Sequence, residues 1–530
     1  MTSVREAVFE LLRNRGMTTI FGNPGSTEMA FLNDLPSEFR YILGLHEGAV
    51  VAMADGYAQA TGNPTLVNLH SAPGVGNAMG SIVNARANRS PLVITAGDQV
   101  RPMQVMEALL TNVRGTELVL PAVKWSGVAP RPQDTPAVLA RAIHEAVLPA
   151  PGPVFVSQPL DDWDAQSVPA EVAHLSGRTV TAGAVLDTRS VAEIGARVAA
   201  AKAPLLVVGA AMDEGLDWDA AVGFAERFGA AVMIAPTEGR WSFPGWHPNF
   251  RGVMAPAVAL AAQQMSGYDL VIVAGSPVFK YYPYLPGELL PAGAELIQLT
   301  DDPAAAARAP MGDAYLSDPR AALALITAAV PGPAADPLVP GPGPLAAPGS
   351  SPLSAGDVFS AVADCLPEDA AIVNESPSNL SVMLRHWRPS QPRSYFFSGS
   401  GGLGFGTAAT VGVQLGMPER RVLGVLGDGS LHYSVQALYT AAREQVPATF
   451  LVLRNRQYGI LKWFGLLEKA PQVPGLDLPN LDAEKVAEGY GVRARTVADS
   501  ESLRDALTES LGGDIPRLIQ VDIDQATDVM

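Results

Sequence analysis

An acid flanked by glycines ends the apolar run Val422-Leu-Gly-Val-Leu-Gly427-Asp428-Gly429-Ser430. An asparagine follows the next apolar run, Thr449–Leu453, in Arg454-Asn455-Arg456-Gln457-Tyr458-Gly459. Carboxylate and amide oxygens are hard donors suited to Mg²⁺ or Ca²⁺, and glycine lets a backbone approach a phosphate closely. Asp428 alone reads equally well as an Asp-Gly turn; its pairing with Asn455 favours an ion site. Glu47, in Leu45-His-Glu-Gly-Ala-Val-Val, sits at a strand-to-helix junction, where the helix dipole alone would favour an acid. His46-Glu47 also begins an H-E-x-x-H zinc pattern, but position 50 is Val, and His144-Glu145 fails in the same way. Gly399-Ser-Gly401-Gly402-Leu403-Gly404 matches the dinucleotide pattern G-x-G-x-x-G, yet the acid expected about 20 residues on is not cleanly placed. Gly22-Asn-Pro-Gly-Ser26-Thr-Glu and Leu69-His70-Ser71-Ala72-Pro-Gly complete the candidates. Taken singly they read as a helix cap and a structural histidine. With Glu47 they would line one sheet edge. No G-x-S-x-G occurs, which argues against a serine hydrolase.

Ligands of open parallel sheets bind beyond the carboxyl ends of the strands, so each candidate needs a strand ending just before it. The expected strands are Thr19–Phe21, Tyr41–Leu45, Thr65–Leu69, Leu92–Ala96 and Val154–Ser157, then Leu205–Val208, Val232–Ala235, Leu270–Ala274 and Leu296–Leu299. A third series comprises Ala371–Asn374, Val422–Leu426, Thr449–Leu453 and Leu518–Ile523, with Tyr395–Phe397 strand-like. Alternation with helical stretches predicts βαβ units, hence an α/β fold of three doubly wound domains with mainly parallel sheets. Proline and glycine crowd Pro331-Gly-Pro-Ala-Ala-Asp-Pro, Val339-Pro-Gly-Pro-Gly-Pro and Pro348-Gly-Ser-Ser-Pro, which reads as a linker. A weaker polar break falls at 167–187, so the domains are expected at 1–180, 181–340 and 341–530.

The 530 residues suit about three domains. A net charge of -17 argues against a general nucleic-acid binder, since phosphate affinity needs clustered Lys and Arg. Residues 1–15 read as an amphipathic helix rather than a signal peptide, and no apolar run reaches the ~20 residues of a membrane span. The single cysteine, Cys365, forms no intrachain disulfide. A cytoplasmic protein without nucleic-acid or membrane partners is the expectation.

Together, Asp428 and Asn455 resemble the diphosphate-metal motif of thiamine-diphosphate enzymes. The likeness runs across nearly the whole chain and is nearest to benzoylformate decarboxylases, in Phe21-Gly-Asn-Pro-Gly-Ser, Glu107-Ala-Leu-Leu-Thr-Asn-Val, Asp161-Asp-Trp-Asp, Phe250-Arg-Gly, Arg308-Ala-Pro-Met-Gly-Asp and Gly402-Leu-Gly-Phe. The resemblance implies an N-terminal pyrimidine-binding domain, a middle domain and a C-terminal diphosphate-binding domain. It implies thiamine diphosphate with Mg²⁺ or Ca²⁺ held by Asp428, the Asn455 side chain and the Gln457 backbone carbonyl. Ser378, Gly401, Leu403, Gly427, Gly429, Ser430, Tyr458 and Gly459 would also touch the cofactor, with Leu403 wedged beneath its rings. Glu47 would hydrogen-bond N1′ of the aminopyrimidine, Ser26 would bind the substrate, and His70 would transfer protons. Leu109, Leu110, Phe397, Leu461 and Phe464 would wall an aryl ring. The implied reaction takes a small-molecule 2-oxo acid, benzoylformate or a related aryl compound, to an aldehyde and CO₂, as in mandelate catabolism. The implied assembly is a homo-oligomer, at least a dimer and commonly a tetramer, with sites at subunit interfaces.

Two positions depart from that family. Tyr282 stands where a second active-site histidine belongs, and a phenol is a poorer proton shuttle at neutral pH. Lys280, nearby, could compensate. Ile460 is larger than the usual Ala and would narrow the pocket. These departures keep open a carboligase or acyloin-forming lyase and a decarboxylase of aliphatic 2-oxo acids. A flavin-containing relative is disfavoured because Val208-Gly209-Ala-Ala-Met lacks a nucleotide fingerprint.

Overall fold

The computed structural model describes residues 2–215, 217–332 and 334–525. Its first sheet contains β1 (Thr19–Gly22), β2 (Arg40–Leu43), β3 (Thr65–Leu69), β4 (Leu92–Asp98), β5 (Ser126–Val128) and β6 (Val154–Pro159), in the order β2-β1-β3-β4-β6-β5. The second contains β7 (Pro204–Val208), β8 (Ala231–Ile234), β9 (Phe250–Val253), β10 (Leu270–Ala274), β11 (Glu295–Thr300) and β12 (Asp313–Leu316), in the order β12-β11-β10-β7-β8-β9. The third comprises β13 (Ala371–Glu375), β14 (Tyr395–Phe397), β15 (Val422–Gly427), β16 (Thr449–Arg454), β17 (Arg493–Val497) and β18 (Arg517–Asp522), with β13-β15-β16-β18-β17 running in that order. Pairings such as β1 with β3, β7 with β10 and β13 with β15 are parallel, and helices alternate with strands, giving three doubly wound α/β domains.

Every expected strand is present within a residue or two. Four further strands, β5, β9, β12 and β17, carry no continuous apolar run, and all four lie at sheet edges. The central strands are buried end to end, as in β3, β4, β7 and β10, which is why they read as unbroken Val/Ile/Leu runs rather than alternating patterns. The N-terminal helix Val4–Asn14 starts at a Ser3/Glu6 capping box and buries Val4, Val8, Leu11 and Leu12.

Packing gathers Met1–Val180, Ala347–Val382 and Ser400–Met530 into one compact unit, and Thr181–Ala346 with Met383–Gly399 into a second. In the first unit the Glu47–Thr61 helix is buried on nearly every side, so it is apolar all round and lacks a polar stripe. It packs against the Gly406–Gly416 helix at very short range. A Cβ on Gly412 would stand 1.9 Å from the Met53 carbonyl oxygen, and one on Gly56 would stand 2.6 Å from that of Ala409. A single core accordingly includes Val50, Met53, Ala408 and Val411. Each sheet reverses its winding between two central strands, β1/β3, β7/β10 and β13/β15, and their carboxyl ends are where ligand crevices form.

Candidate active site

In the first sheet, β1, β2 and β3 deliver their following loops to one edge. Glu47 is the first residue of its helix, capped by His46, whose side chain accepts from the Gly48 N–H at 3.1 Å. The Glu47 carboxylate is buried. Asn23 Nδ2, just beyond β1, donates to its Oε1 at 3.1 Å, and Asn77 Nδ2 donates to its Oε2 at 3.0 Å. Two neutral amides thus hold a buried carboxyl without an ion-pair partner, an arrangement suited to sharing a proton with a ligand nitrogen.

His70 caps the Ser71–Ala87 helix, directly after β3. Its Nδ1 lies 2.8 Å from Glu28 Oε2 and 3.1 Å from Thr27 Oγ1. Glu28 is itself buried and pinned by the Gly25 and Gly97 N–H groups at 2.9 and 2.8 Å. A carboxylate on Nδ1 places the ring proton there and leaves Nε2 as the atom able to take or give a proton. Gly25 is required beneath the ring, because a Cβ there would fall 1.9 Å from His70 Nδ1. Ser26, next to it, is exposed. Leu109 and Leu110 lie on a segment anchored by buried Asn112, which bonds the Asp98 carboxylate, the Gly97 carbonyl and Ser157 Oγ.

The third sheet assembles the second group. Asp428 opens a single helical turn after β15, buried, with Oδ1 accepting from Gly429 N–H at 2.8 Å and Oδ2 from Arg456 N–H at 2.7 Å. Burial pushes its carboxyl above the ordinary range in spite of those donors. Asn455 and Gln457 are buried after β16, with Asn455 Oδ1 accepting from Gln457 N–H at 3.2 Å. The Gln457 side chain is engaged elsewhere, by Lys462 Nζ at 2.7 Å and the Gln525 carbonyl at 3.0 Å. Arg454 turns to Asp522, which accepts from its Nη2 at 2.8 Å, and so acts on the carboxylate at 428 through its field rather than through an ion pair. One carboxylate, one amide and one carbonyl form a hard-oxygen donor set that fits a divalent cation. Among the described residues no cluster of three or more His, Cys, Asp or Glu is placed to hold a metal.

The loop from Ser400 to Gly404 borders this group, with Gly401 and Gly404 at φ +76° and +105° and half-buried Leu403 between them. Gly427, Ser430, Tyr458 and Gly459 surround Asp428, and a Cβ on Gly429 would meet the Tyr458 ring at 2.6 Å. Ser378 lies in the turn after β13. Ile460, Leu461 and Phe464 follow on the Gly459–Leu467 helix. Tyr282 and Phe397 belong to the second unit, where Tyr282 is 66% exposed and Phe397 N–H donates to the Gly239 carbonyl at 2.8 Å. Lys280 there faces buried Glu238, Nζ to Oε1 at 3.5 Å.

Sequence reasoning did not single out Glu28, Asn23 or Asn77, which orient His70 and Glu47. Glu28 was in view three residues after Gly25, but its contact with a histidine 42 positions away depends on the fold. Residues 2–117 match the thiamine pyrophosphate enzyme N-terminal TPP binding domain, 191–326 its central domain and 378–521 its C-terminal TPP binding domain. Benzoylformate decarboxylase of Pseudomonas aeruginosa is 47% identical over 524 residues, 98% of this chain and 99% of the relative. The structure of a thiamine diphosphate-dependent 4-hydroxybenzoylformate decarboxylase from Rhodococcus jostii RHA1 superposes with a TM-score of 0.97 at 44% identity, covering 100% of both chains. Benzoylformate decarboxylase from Polynucleobacter necessarius gives 0.96 at 38% identity, again over 100% of both.

Proposed function

The chain belongs to the thiamine pyrophosphate enzymes, and we propose that it is a decarboxylase of benzoylformate or a related aryl 2-oxo acid, releasing CO₂ and the aryl aldehyde. The observation that carries this reading is the end-to-end likeness to decarboxylases of such acids, at 47% identity. When bound, thiamine diphosphate supplies the nucleophilic carbon and the electron sink.

The residues divide the remaining work. Glu47, held by Asn23 and Asn77, keeps a proton at N1′ of the aminopyrimidine. His70, backed by Glu28, moves protons at the substrate oxygen and carbon through Nε2, and the exposed Ser26 hydroxyl binds the carboxylate. Asp428, Asn455 and the Gln457 carbonyl would hold Mg²⁺ or Ca²⁺, which would supply positive charge for the cofactor's diphosphate. Gly401, Leu403, Gly427, Gly429, Ser430, Tyr458, Gly459 and Ser378 line the cofactor. Leu109, Leu110, Ile460, Leu461 and Phe464 form the apolar wall. The sheets divide into a pyrimidine-binding domain at 1–180, a middle domain at 181–340 and a diphosphate-binding domain at 341–530.

The functional unit is at least a dimer. The Ser71–Ala87 helix begins at His70 and touches the Ser400–Gly404 loop at Asn84, so about 20 Å of helix separates His70 from that loop within one chain. A second copy would bring the Glu47 edge of one chain to the Asp428 edge of another, and would cover Leu109, which is 85% exposed in the single chain. No helix among the described residues is long and apolar enough to cross a membrane.

A panel of aryl and aliphatic 2-oxo acids with thiamine diphosphate and Mg²⁺, followed by CO₂ release, tests the reading. Benzoylformate or a ring-substituted relative is expected to give the highest kcat/KM, and CO₂ release from aliphatic acids alone would overturn the substrate class. Glu47→Gln is expected to lower kcat by roughly 100-fold or more while sparing most cofactor binding; full activity in that variant would refute the proton role.

A further inference from the structure

The loop carrying Leu403 is poorly suited to hold its own shape. Four of its neighbours are Gly399, Gly401, Gly402 and Gly404, and glycine has more conformational freedom to lose than any other residue. Yet a residue wedged under a cofactor works only if its backbone is already in place when the cofactor arrives.

Two side chains from different domains close on this loop from either end. Glu375, the last residue of β13, directs Oε1 at the Gly404 and Phe405 N–H groups, both at 2.9 Å. On the other side Asn84 donates from Nδ2 to the Gly402 carbonyl at 3.1 Å and accepts the Ser400 hydroxyl on Oδ1. Ser400 Oγ in turn accepts the Gly402 N–H at 3.1 Å. Leu403 lies between the two anchors. We propose that Glu375 and Asn84 are positioning residues that clamp the Ser400–Gly404 loop in the conformation that receives thiamine diphosphate, an inference that rests on the cofactor site described above.

The character of Glu375 supports a retained functional role. It is 2% exposed, the Gly406 N–H is a further backbone donor to its carboxylate, and Gly406 fits so closely that a Cβ there would fall 2.4 Å from the Glu375 Cβ. Burial pushes its pKa up to about 8 against the opposing backbone N–H donors, and no charged side chain contributes to that shift. A buried acid with no cationic partner costs stability that an apolar residue of similar shape would not. What it supplies in return is a double acceptor at the one place where two consecutive N–H groups of a glycine loop converge. Asn84 is equally buried, and its amide serves a carbonyl and a hydroxyl at once, donating from the nitrogen and accepting on the oxygen.

The test measures thiamine diphosphate binding to the full-length protein with Mg²⁺ by titration calorimetry, together with the melting temperature of the cofactor-free protein and the near-ultraviolet circular dichroism of the loaded protein. Glu375→Ala and Asn84→Ala are each expected to raise the Kd about 10-fold or more and to alter the cofactor's dichroic band. Glu375→Gln, which keeps an acceptor at Oε1, is expected to restore the Kd to within about 3-fold of the parent. Because both residues hold one loop, the double variant is expected to lose less than the product of the single losses. Should Glu375→Ala fold poorly, Ser400→Ala removes only a loop hydroxyl and is expected to weaken binding about 3-fold. Unchanged Kd values in Glu375→Ala or Ser400→Ala, fully multiplicative losses, or a Glu375→Gln as impaired as Glu375→Ala would overturn the clamp. Failure of the unaltered protein to bind thiamine diphosphate would instead overturn the cofactor site itself.

Discussion

The middle sheet and the third sheet each bring two central strands to a crevice and set carboxylates at its mouth, but they treat the charge differently. In the middle sheet Glu238, beyond β8, accepts from the Ala210 N–H at 2.8 Å and from Ser276 Oγ at 2.9 Å, and Lys280 Nζ stands 3.5 Å from it. Ala210 and Ser276 follow β7 and β10, so the carboxylate occupies the backbone donors of that switch point and brings its own cation. In the third sheet Glu375 is buried with backbone N–H donors alone, and Asp428 is buried with Arg454 acting on it only through its field, the guanidinium itself being ion-paired with Asp522. A carboxylate already neutralised by protein closes a crevice, whereas one left short of a cation leaves it open to a bound ion. The difference also bears on a flavin-containing middle domain. An acid that sits on the N–H groups a diphosphate would need repels that group.

The strongest way to break this contrast is to remove one carboxylate from each crevice by the same change. Asp428→Asn is expected to cut CO₂ release at saturating thiamine diphosphate and Mg²⁺ by roughly 100-fold or more, with loss of retained cofactor on gel filtration. Glu238→Gln is expected to leave kcat within about 3-fold while lowering stability by about 1–3 kcal/mol in denaturant unfolding, since it strips Lys280 of its partner. Equal losses of activity in the two variants would end the distinction between an ion site and a structural cap.

How much of this was legible beforehand follows the same physics. Buried central strands announce themselves because both faces demand apolar residues, so β3, β10, β15 and β16 were expected almost to the residue. The edge strands β5, β9, β12 and β17 pair on one side only and carry residues such as Ser126, Arg251, Asp313 and Arg493, which leave no apolar signal. In the site, Asp428, Asn455, Glu47 and His70 each follow a recognisable strand or motif. Asn23, Glu28, Asn77, Asn84 and Glu375 orient them or their loops through contacts across 24 to 318 positions of chain. Local pattern carries no trace of such pairs. The glycine loop was readable as a phosphate-type turn, but nothing in its own residues disclosed what holds it.

Glu375 also sharpens the contrast through pH. Its ordinary value is 4.5, and burial in the fold raises it to about 8. Below about 4.5 the group is protonated in folded and unfolded chains alike. As pH rises from there to about 8, the unfolded chain has released the proton and the folded one still holds it, so stability falls across that window and the full loss is reached above about 8. Gln at this position does not titrate. Unfolding midpoints of the parent and Glu375→Gln should therefore diverge between pH 5 and 8.5, in favour of the variant, by roughly 2–4 kcal/mol. Parallel curves over that range would show that the acid is solvated or paired in solution and would remove this part of the contrast with Glu238.

The smallest effect is expected at the loop after β10, where the middle domain carries both its structural cation and its candidate contribution to chemistry. Lys280 is committed to Glu238, so it is poorly placed to replace a proton-transfer group. Tyr282, two residues on, is 66% exposed and held through its backbone, whose N–H donates to the Pro256 carbonyl at 2.6 Å. Tyr282→His offers an imidazole in place of a phenol, and imidazole is the better proton donor and acceptor at neutral pH, so protonation should compete better with capture of an added aldehyde. Decarboxylation is expected to rise about 2- to 10-fold and acyloin formation from added acetaldehyde to fall in proportion, both read from one product analysis. Tyr282→Phe separates the hydroxyl from the ring: if it matches the parent in both products while Tyr282→His changes neither, the loop after β10 has no part in proton transfer and the middle domain is structural throughout.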